Sequence, residues 1–156
     1  STHLDASLVE ELLAREHDLA LELLPEPLDP SLPGLLDELA SVVPLAITSN
    51  TRMLPAGTMR ALLAEIGLLD PFTVRTFSDE VGAAKPEARI FAATLAGLQA
   101  HVAGLAPGDV VHVGDNPHAD VTGAQDAGMI PVRVDATCGT DRVVSAMLAG
   151  LDQGRP

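Results

Sequence analysis

The chain has 156 residues, of which 47% are hydrophobic and 20% charged, enough for one well-buried domain and too apolar for an intrinsically disordered segment. Nine basic against 22 acidic residues leave a formal charge of −13, a balance that repels polyanions and makes nucleic acid or an anionic membrane surface an unexpected partner. With no Trp, no Tyr and 2% aromatics, the core has to be built from Leu, Val, Ile and Ala, which suits parallel strands covered by helices on both faces.

From Asp5 to Leu24, the spacing of Leu8, Leu12, Leu13, Leu19 and Leu23 predicts a helix with Asp5 as its cap. Pro25, Pro27, Pro30 and Pro33 then break the chain into a connector. This is the one candidate boundary, dividing a helical segment at 1–24 from a body at 25–156. A second helix is expected from Pro33 or Gly34 to about Ala40, followed by a buried strand, Leu45-Ala46-Ile47-Thr48, that opens into Ser49-Asn50-Thr51. Met59, Leu62, Leu63 and Ile66 mark a helix from Pro55 to Ile66 that Gly67 stops. Phe72 to Phe77 reads as a strand, and Pro86 as the first residue of a helix through Ile90, Phe91, Leu95 and Leu98. Val110–Val113 and Ile130–Val134 are predicted strands, separated by a helix from Ala119 to Ala127 that Gly128 stops. Thr140 to Leu151 closes the chain as a helix. This alternation is the signature of an α/β fold, a parallel sheet wound with helices on both faces, whose chemistry belongs at the carboxyl ends of the strands.

No apolar run is long enough to cross a bilayer, and Ser1–Asp5 carries neither a basic leader nor an apolar signal core. The single cysteine, Cys138, cannot form an internal disulfide. A cytoplasmic location is the expectation from these features.

Each strand end offers a different polar group. Ser49-Asn50-Thr51 presents hydroxyls and backbone amides ahead of a helix, a place suited to an anion. Gly82-Ala83-Ala84-Lys85-Pro86 delivers an ammonium after a loop of small residues. Val113-Gly114-Asp115-Asn116-Pro117-His118-Ala119-Asp120 sets two carboxylates around a tight turn. Taken together, Ser49 and Lys85 would hold a phosphoryl group and Asp115 a magnesium ion, a hard cation that prefers oxygen ligands.

An apolar strand ending in Ser-Asn, a Gly-x-x-Lys-Pro start and Val-Gly-Asp-x-x-x-x-Asp followed by Gly-Ala and Ala-Gly-Met, in that order and spacing, resemble the haloacid dehalogenase superfamily over roughly residues 30 to 150. The resemblance implies a three-layer α/β/α Rossmann-like core, with the helical segment at 1–24 as the tail of a cap domain. It implies magnesium-dependent hydrolysis of a small phosphorylated metabolite through an aspartyl-phosphate. By the same resemblance Ser49, with Thr48 as the alternative register, hydrogen-bonds the phosphoryl group, to which Asn50 adds its backbone amide. Lys85 neutralises charge on nucleophile and phosphoryl oxygens, Asp115 is the magnesium ligand, and Asp120 orients the lysine or a metal-bound water.

Members of that superfamily begin with an apolar strand ending in Asp-x-Asp-x-Thr, whose first Asp attacks phosphorus and whose second is the general acid and base. No such motif occurs in this chain. An upstream segment is therefore expected to supply it, as a strand in the middle of the sheet between those ending at Ser49 and Gly114. The chain alone is expected to bind magnesium poorly and to hydrolyse nothing. Val132 to Thr140, an apolar strand followed by Asp135, Thr137, Gly139 and Thr140, is a superficial imitation: it follows the metal motif and lacks the second Asp.

Taken singly, these residues also have ordinary readings. Ser49 can cap a helix, Lys85 can be a surface lysine, and Asp115 and Asp120 can be turn and cap residues. His112 reads as a satisfied core histidine, His118 as a loop residue and Cys138 as inert. Three functions compete with phosphomonoester hydrolysis: metal-independent 2-haloacid dehalogenation, ligand or partner binding by a catalytically inactive domain, and a flavodoxin-like binding role.

Overall fold

Strands form at the four expected stretches, and helices follow each of them. In the computed structural model, which describes residues 5–26, 29–51, 54–135 and 137–153, the elements are α1 (Ala6–Glu22), α2 (Leu32–Ala40), β1 (Leu45–Ser49), α3 (Ala56–Glu65), β2 (Phe72–Phe77), α4 (Ser78–Val81), α5 (Ala88–Gln99), β3 (Val111–Gly114), α6 (Gly123–Asp126), β4 (Ile130–Arg133) and α7 (Thr140–Gln153). Pro27 of the expected connector and Ala136 of the Asp135 loop lie outside the described residues. No described helix is long and apolar enough to cross a membrane.

All observed strand pairing is parallel, and it forms two separate pairs. β1 pairs with β2, from Ala46 opposite Val74 to Ser49 opposite Phe77, and β3 pairs with β4, from Val111 opposite Ile130 to Gly114 opposite Arg133. Among the described residues β1 and β3 have no ladder between them. Helix α5 packs on β1 and β2 and also touches α6, so it lies along one face and ties the two pairs together. Its fully buried Ile90 and Phe91 form a core cluster with Ala124 and Met129. A second cluster joins Leu36 and Leu39 of α2 to Val144 of α7, with Leu45 and Phe72 at the amino ends of β1 and β2 packed against it. Side chains alternate along a strand. Thr48 faces α5, where its Oγ1 lies 2.8 Å from Oγ1 of buried Thr94. The adjacent Phe77 lies under the Arg60 guanidinium of α3, 4.7 Å from its ring centroid.

Helix α1 starts where its cap requires: Asp5 Oδ1 accepts the Ser7 N–H at 3.2 Å. It buries none of its residues, and Leu12 remains 57% exposed. It meets the body through α3, where His17 Nδ1 lies 2.9 Å from Thr58 Oγ1. Gly67 and Gly128, with φ of 72° and 76°, follow α3 and α6 in the left-handed conformation that stops a helix.

Two expectations about helix starts need correction. Pro86 is not the first residue of α5. The Glu87 N–H donates to the Ala84 carbonyl at 2.8 Å, and Glu87 Oε1 accepts the Ala84 N–H at 3.0 Å. This closed turn, which contains the cis Lys85–Pro86 peptide, delays the helix to Ala88. The helix expected from Ala119 begins earlier, as a π-helical turn over Pro117–Thr122 in which the Val121 N–H reaches the Asn116 carbonyl at 3.2 Å. Asn116 caps this turn and Pro117 occupies its first position, where a missing N–H costs nothing.

The Thr48–Thr94 contact gives a stability test. Removing one partner leaves a buried hydroxyl less satisfied, whereas removing both is nearly neutral. Thr94→Val is expected to cost about 1 kcal/mol, and Thr48→Val in the same chain to add less than it does alone, as read from urea unfolding midpoints.

Candidate active site

The carboxyl ends of β1 and β3, and the loop after β2, converge on Lys85. Its main chain is held by Asn50, the first residue beyond β1: Asn50 Nδ2 donates to the Lys85 carbonyl at 3.0 Å, and Asn50 Oδ1 accepts the Lys85 N–H at 2.7 Å. Its ammonium meets Asp120, 2.6 Å from Oδ1, with the two side chains only 14% and 6% exposed. Lys85 is the only lysine of the chain.

Asp120 is fixed from three sides. Oδ1 takes Lys85 Nζ and lies 3.1 Å from His112 Nε2, and Oδ2 accepts the Asn116 N–H at 3.0 Å. An ionised carboxylate only accepts, so His112 must donate from Nε2. The opposite wall is Gly114, where any Cβ would run into Cγ of Asp120. Burial pushes the Asp120 carboxyl up, but the hydrogen bonds from Lys85, His112 and Asn116 outweigh it and hold the group below its ordinary value of 3.8. His112 lies edge-on to Phe91 of α5, with ring centroids 5.3 Å apart. Burial lowers its pKa below 6.5; the Asp120 hydrogen bond opposes this only in part, and the nearby Lys85 charge adds to the lowering.

The loop after β1 is pinned from the β2 side. The Thr51 N–H donates to Ser78 Oγ at 2.9 Å, and Thr51 Oγ1 donates to Asp79 Oδ1 at 2.7 Å. Asp79 Oδ2 accepts the free N–H of Ala56 at the start of α3, 2.9 Å away. That bond, opposed by desolvation and aided by Thr51, keeps the Asp79 carboxyl below its ordinary range.

The residues singled out in the sequence are placed as follows. Asn50, Lys85 and Asp120 form one hydrogen-bonded chain across three loops. Ser49 ends β1 immediately before it, and its hydroxyl takes no part in that chain among the described residues. Thr48, the alternative register, commits its hydroxyl to Thr94 of α5. Asp115 follows β3 and is exposed. Asp135 lies in a separate exposed turn, its Oδ1 accepting the Thr137 N–H at 2.8 Å and the Cys138 N–H at 3.1 Å. His112 is a satisfied core histidine, as expected. The sequence does not reveal the contacts of the Asn50 and Asp79 side chains or the link from His112 to Asp120; its one signal is that Asn50 directly follows β1 and Asp79 lies two residues beyond β2.

As for a metal, no group of three or more His, Cys, Asp and Glu side chains suited to an ion occurs among the described residues. Both oxygens of Asp120 are already engaged. Asp115 can give magnesium one carboxylate oxygen. This fits an ion that keeps several waters and takes one or two protein carboxylates, and makes a weak site by itself.

The family model for haloacid dehalogenase-like hydrolases matches residues 2–128. The chain belongs to that family. Among curated relatives it is 38% identical over 91 residues to a phosphoserine phosphatase of Thermus thermophilus, covering 58% of this chain and 34% of that protein, so it spans about a third of its relative's length. Among solved structures it resembles a haloacid dehalogenase-family phosphatase from Thermococcus onnurineus, with a TM-score of 0.65 and 31% identity over 92% of this chain and 64% of that one. It also resembles the L-2-haloacid dehalogenase of Xanthobacter autotrophicus, with a TM-score of 0.58 and 25% identity over 96% of this chain and 54% of that one. The α/β fold with parallel strands is thus that of haloacid dehalogenase-like hydrolases.

Two outcomes follow from the buried pair. Asp120→Ala leaves an ammonium buried without its counter-charge and is expected to cost about 3–5 kcal/mol. Lys85→Met should cost less, because Asp120 keeps the donors at His112 and Asn116. Chemical denaturation of both variants and their double variant checks the order. The second outcome concerns pH. The unfolded chain binds a proton at position 112 below about pH 6.5 while the folded chain resists it, so the stability His112 contributes is complete above that pH and is lost as pH falls toward its lowered folded value. The Asp120 contribution is lost only further down, as pH falls through a folded value below 3.8. His112→Gln should therefore flatten the decline between pH 7.5 and pH 5, as read from unfolding midpoints.

Proposed function

We propose that this chain is the phosphoryl-holding part of a magnesium-dependent phosphomonoesterase acting on a small phosphorylated metabolite in the cytoplasm. The observation that carries the reading is the ammonium of the only lysine, held at 2.6 Å by Asp120 and clasped at its main chain by Asn50 where the strand ends meet. In an acidic protein with a formal charge of −13, a phosphate needs such a local cation. Ser49 and Asn50 are its hydrogen-bonding partners, Lys85 balances its charge, Asp120 positions Lys85, and Asp115 is a magnesium ligand. Magnesium would supply charge neutralisation on a phosphoryl oxygen.

In this reading a carboxylate from a segment upstream of Ser1 attacks phosphorus, and the ester oxygen leaves with a proton from a second acid. Water then hydrolyses the acyl phosphate. The separation of β1–β2 from β3–β4 is consistent with a further strand between them, and kinship with a phosphoserine phosphatase and a phosphatase structure favours phosphate over other leaving groups. The L-2-haloacid dehalogenase likeness keeps dehalogenation as a second reading. Exposed Asp115 opposes it, since metal-independent attack on a haloacid has no use for an acidic residue there.

The test supplies an activated aryl phosphate and magnesium to this chain and to the protein with its upstream segment included. The longer form should turn over, lose activity to a chelator, and lose about 10²-fold or more with Lys85→Met, the scale of removing one preorganised charge stabiliser. The 156-residue chain should be silent. Silence from the longer form, chelator-insensitive release of halide from a 2-haloacid, or turnover by the short chain that survives Asp135→Asn would reject the assignment.

A further inference from the structure

We infer that His112 is a positioning residue for the Lys85 ammonium, acting through Asp120: its Nε2–H occupies the remaining place on Asp120 Oδ1 and holds the carboxylate where it delivers Lys85 to the strand ends. The inference rests on the reading of Lys85 as the phosphoryl-binding cation.

The geometry is specific to the Nε2 atom. Asp120 Oδ2 is taken by the Asn116 N–H, and Oδ1 is shared by Lys85 Nζ at 2.6 Å and His112 Nε2 at 3.1 Å. Without the imidazole, Oδ1 has the mobile ammonium as its one partner among the described residues, and a flexible four-carbon side chain is a poor anchor. With it, the carboxylate is bound on both oxygens by groups on backbone or on a strand, and the lysine is the part that adapts. The imidazole is itself fixed: His112 lies in the middle of β3, opposite Pro131 of β4, and packs edge-on against fully buried Phe91. A neutral donor suits this place, because it orders the carboxylate without adding a second cation beside Lys85. The lowered pKa of His112 agrees with that neutral state.

The lone lysine makes the inference directly measurable. In the 156-residue chain labelled with 15N-lysine, Lys85 gives the single side-chain ammonium resonance, and an ordered, hydrogen-bonded ammonium exchanges slowly enough to be seen near neutral pH. His112→Gln places a donor near the Nε2 position and should keep the resonance. His112→Asn is too short to reach Oδ1, and His112→Leu has no donor; both should lose it or speed its exchange about tenfold, the scale of one hydrogen bond to a charged group. Circular dichroism reports whether each variant stays folded, and if the leucine variant does not, the contrast between Gln and Asn decides. Folded Asn and Leu variants with an unchanged resonance would overturn the inference, as would equal loss in Gln and Asn, which would mark His112 as a packing residue. Titration with inorganic phosphate separates this from the functional reading. A wild-type resonance that ignores phosphate counts against the phosphoryl role of Lys85, while the comparison among variants still judges His112.

Discussion

A buried ammonium against a buried carboxylate is an expensive arrangement. Each charge loses its hydration, and their attraction offsets the loss only if the remaining lone pairs and protons are well placed. At Lys85–Asp120 much of the surrounding structure meets that condition. The Asn116 N–H and the His112 imidazole fill the carboxylate, Gly114 leaves room for it against the strand end, and Asn50 fixes the backbone from which the lysine reaches. Replacing the pair with apolar groups would be easier on stability. Stability alone therefore does not account for its presence.

The charge balance sharpens this. A chain with 22 acidic residues has a field that discourages anions from approaching, so any anion it binds has to be held by short-range contacts. The remaining cations are arginines with other engagements where their contacts are described. Arg60, for instance, forms a two-pronged pair with Glu80 and stacks on Phe77. Lys85, the chain's only lysine, is thus a compact charge held by Asp120 and Asn50 at the carboxyl ends of β1 and β3.

The fold was legible because its signals are local. Short apolar, β-branched or aromatic stretches mark β1 to β4, and Gly67 and Gly128 stop α3 and α6 with the left-handed backbone that glycine tolerates. The order of motifs makes Lys85 and Asp120 candidates from the sequence alone. Local reasoning failed where partners come from distant elements. The Asn50 side chain clasps a backbone 35 positions away, and His112 looks like a core residue until its neighbour across the π-helical turn is known. The start of α5 was misplaced for a related reason. Proline at a helix start is a common local pattern, but the side chain of Glu87 closes a turn that consumes Pro86 first.

The two strand pairs and the polar site are coupled by the same few contacts. Beneath the strands, α5 packs on β1 and β2 while its Phe91 reaches His112 of β3. At their carboxyl ends, the chain of bonds from Asn50 through Lys85 to Asp120 crosses from the β1 side to the β3 side. With no ladder described between β1 and β3, these contacts help to set their relative placement, beside the cluster that joins α2 and the amino ends of β1 and β2 to α7. A change in spacing between the pairs must then lengthen or shorten the reach of Lys85. Any strand that seats between β1 and β3 would set that distance, and so would set where the ammonium points.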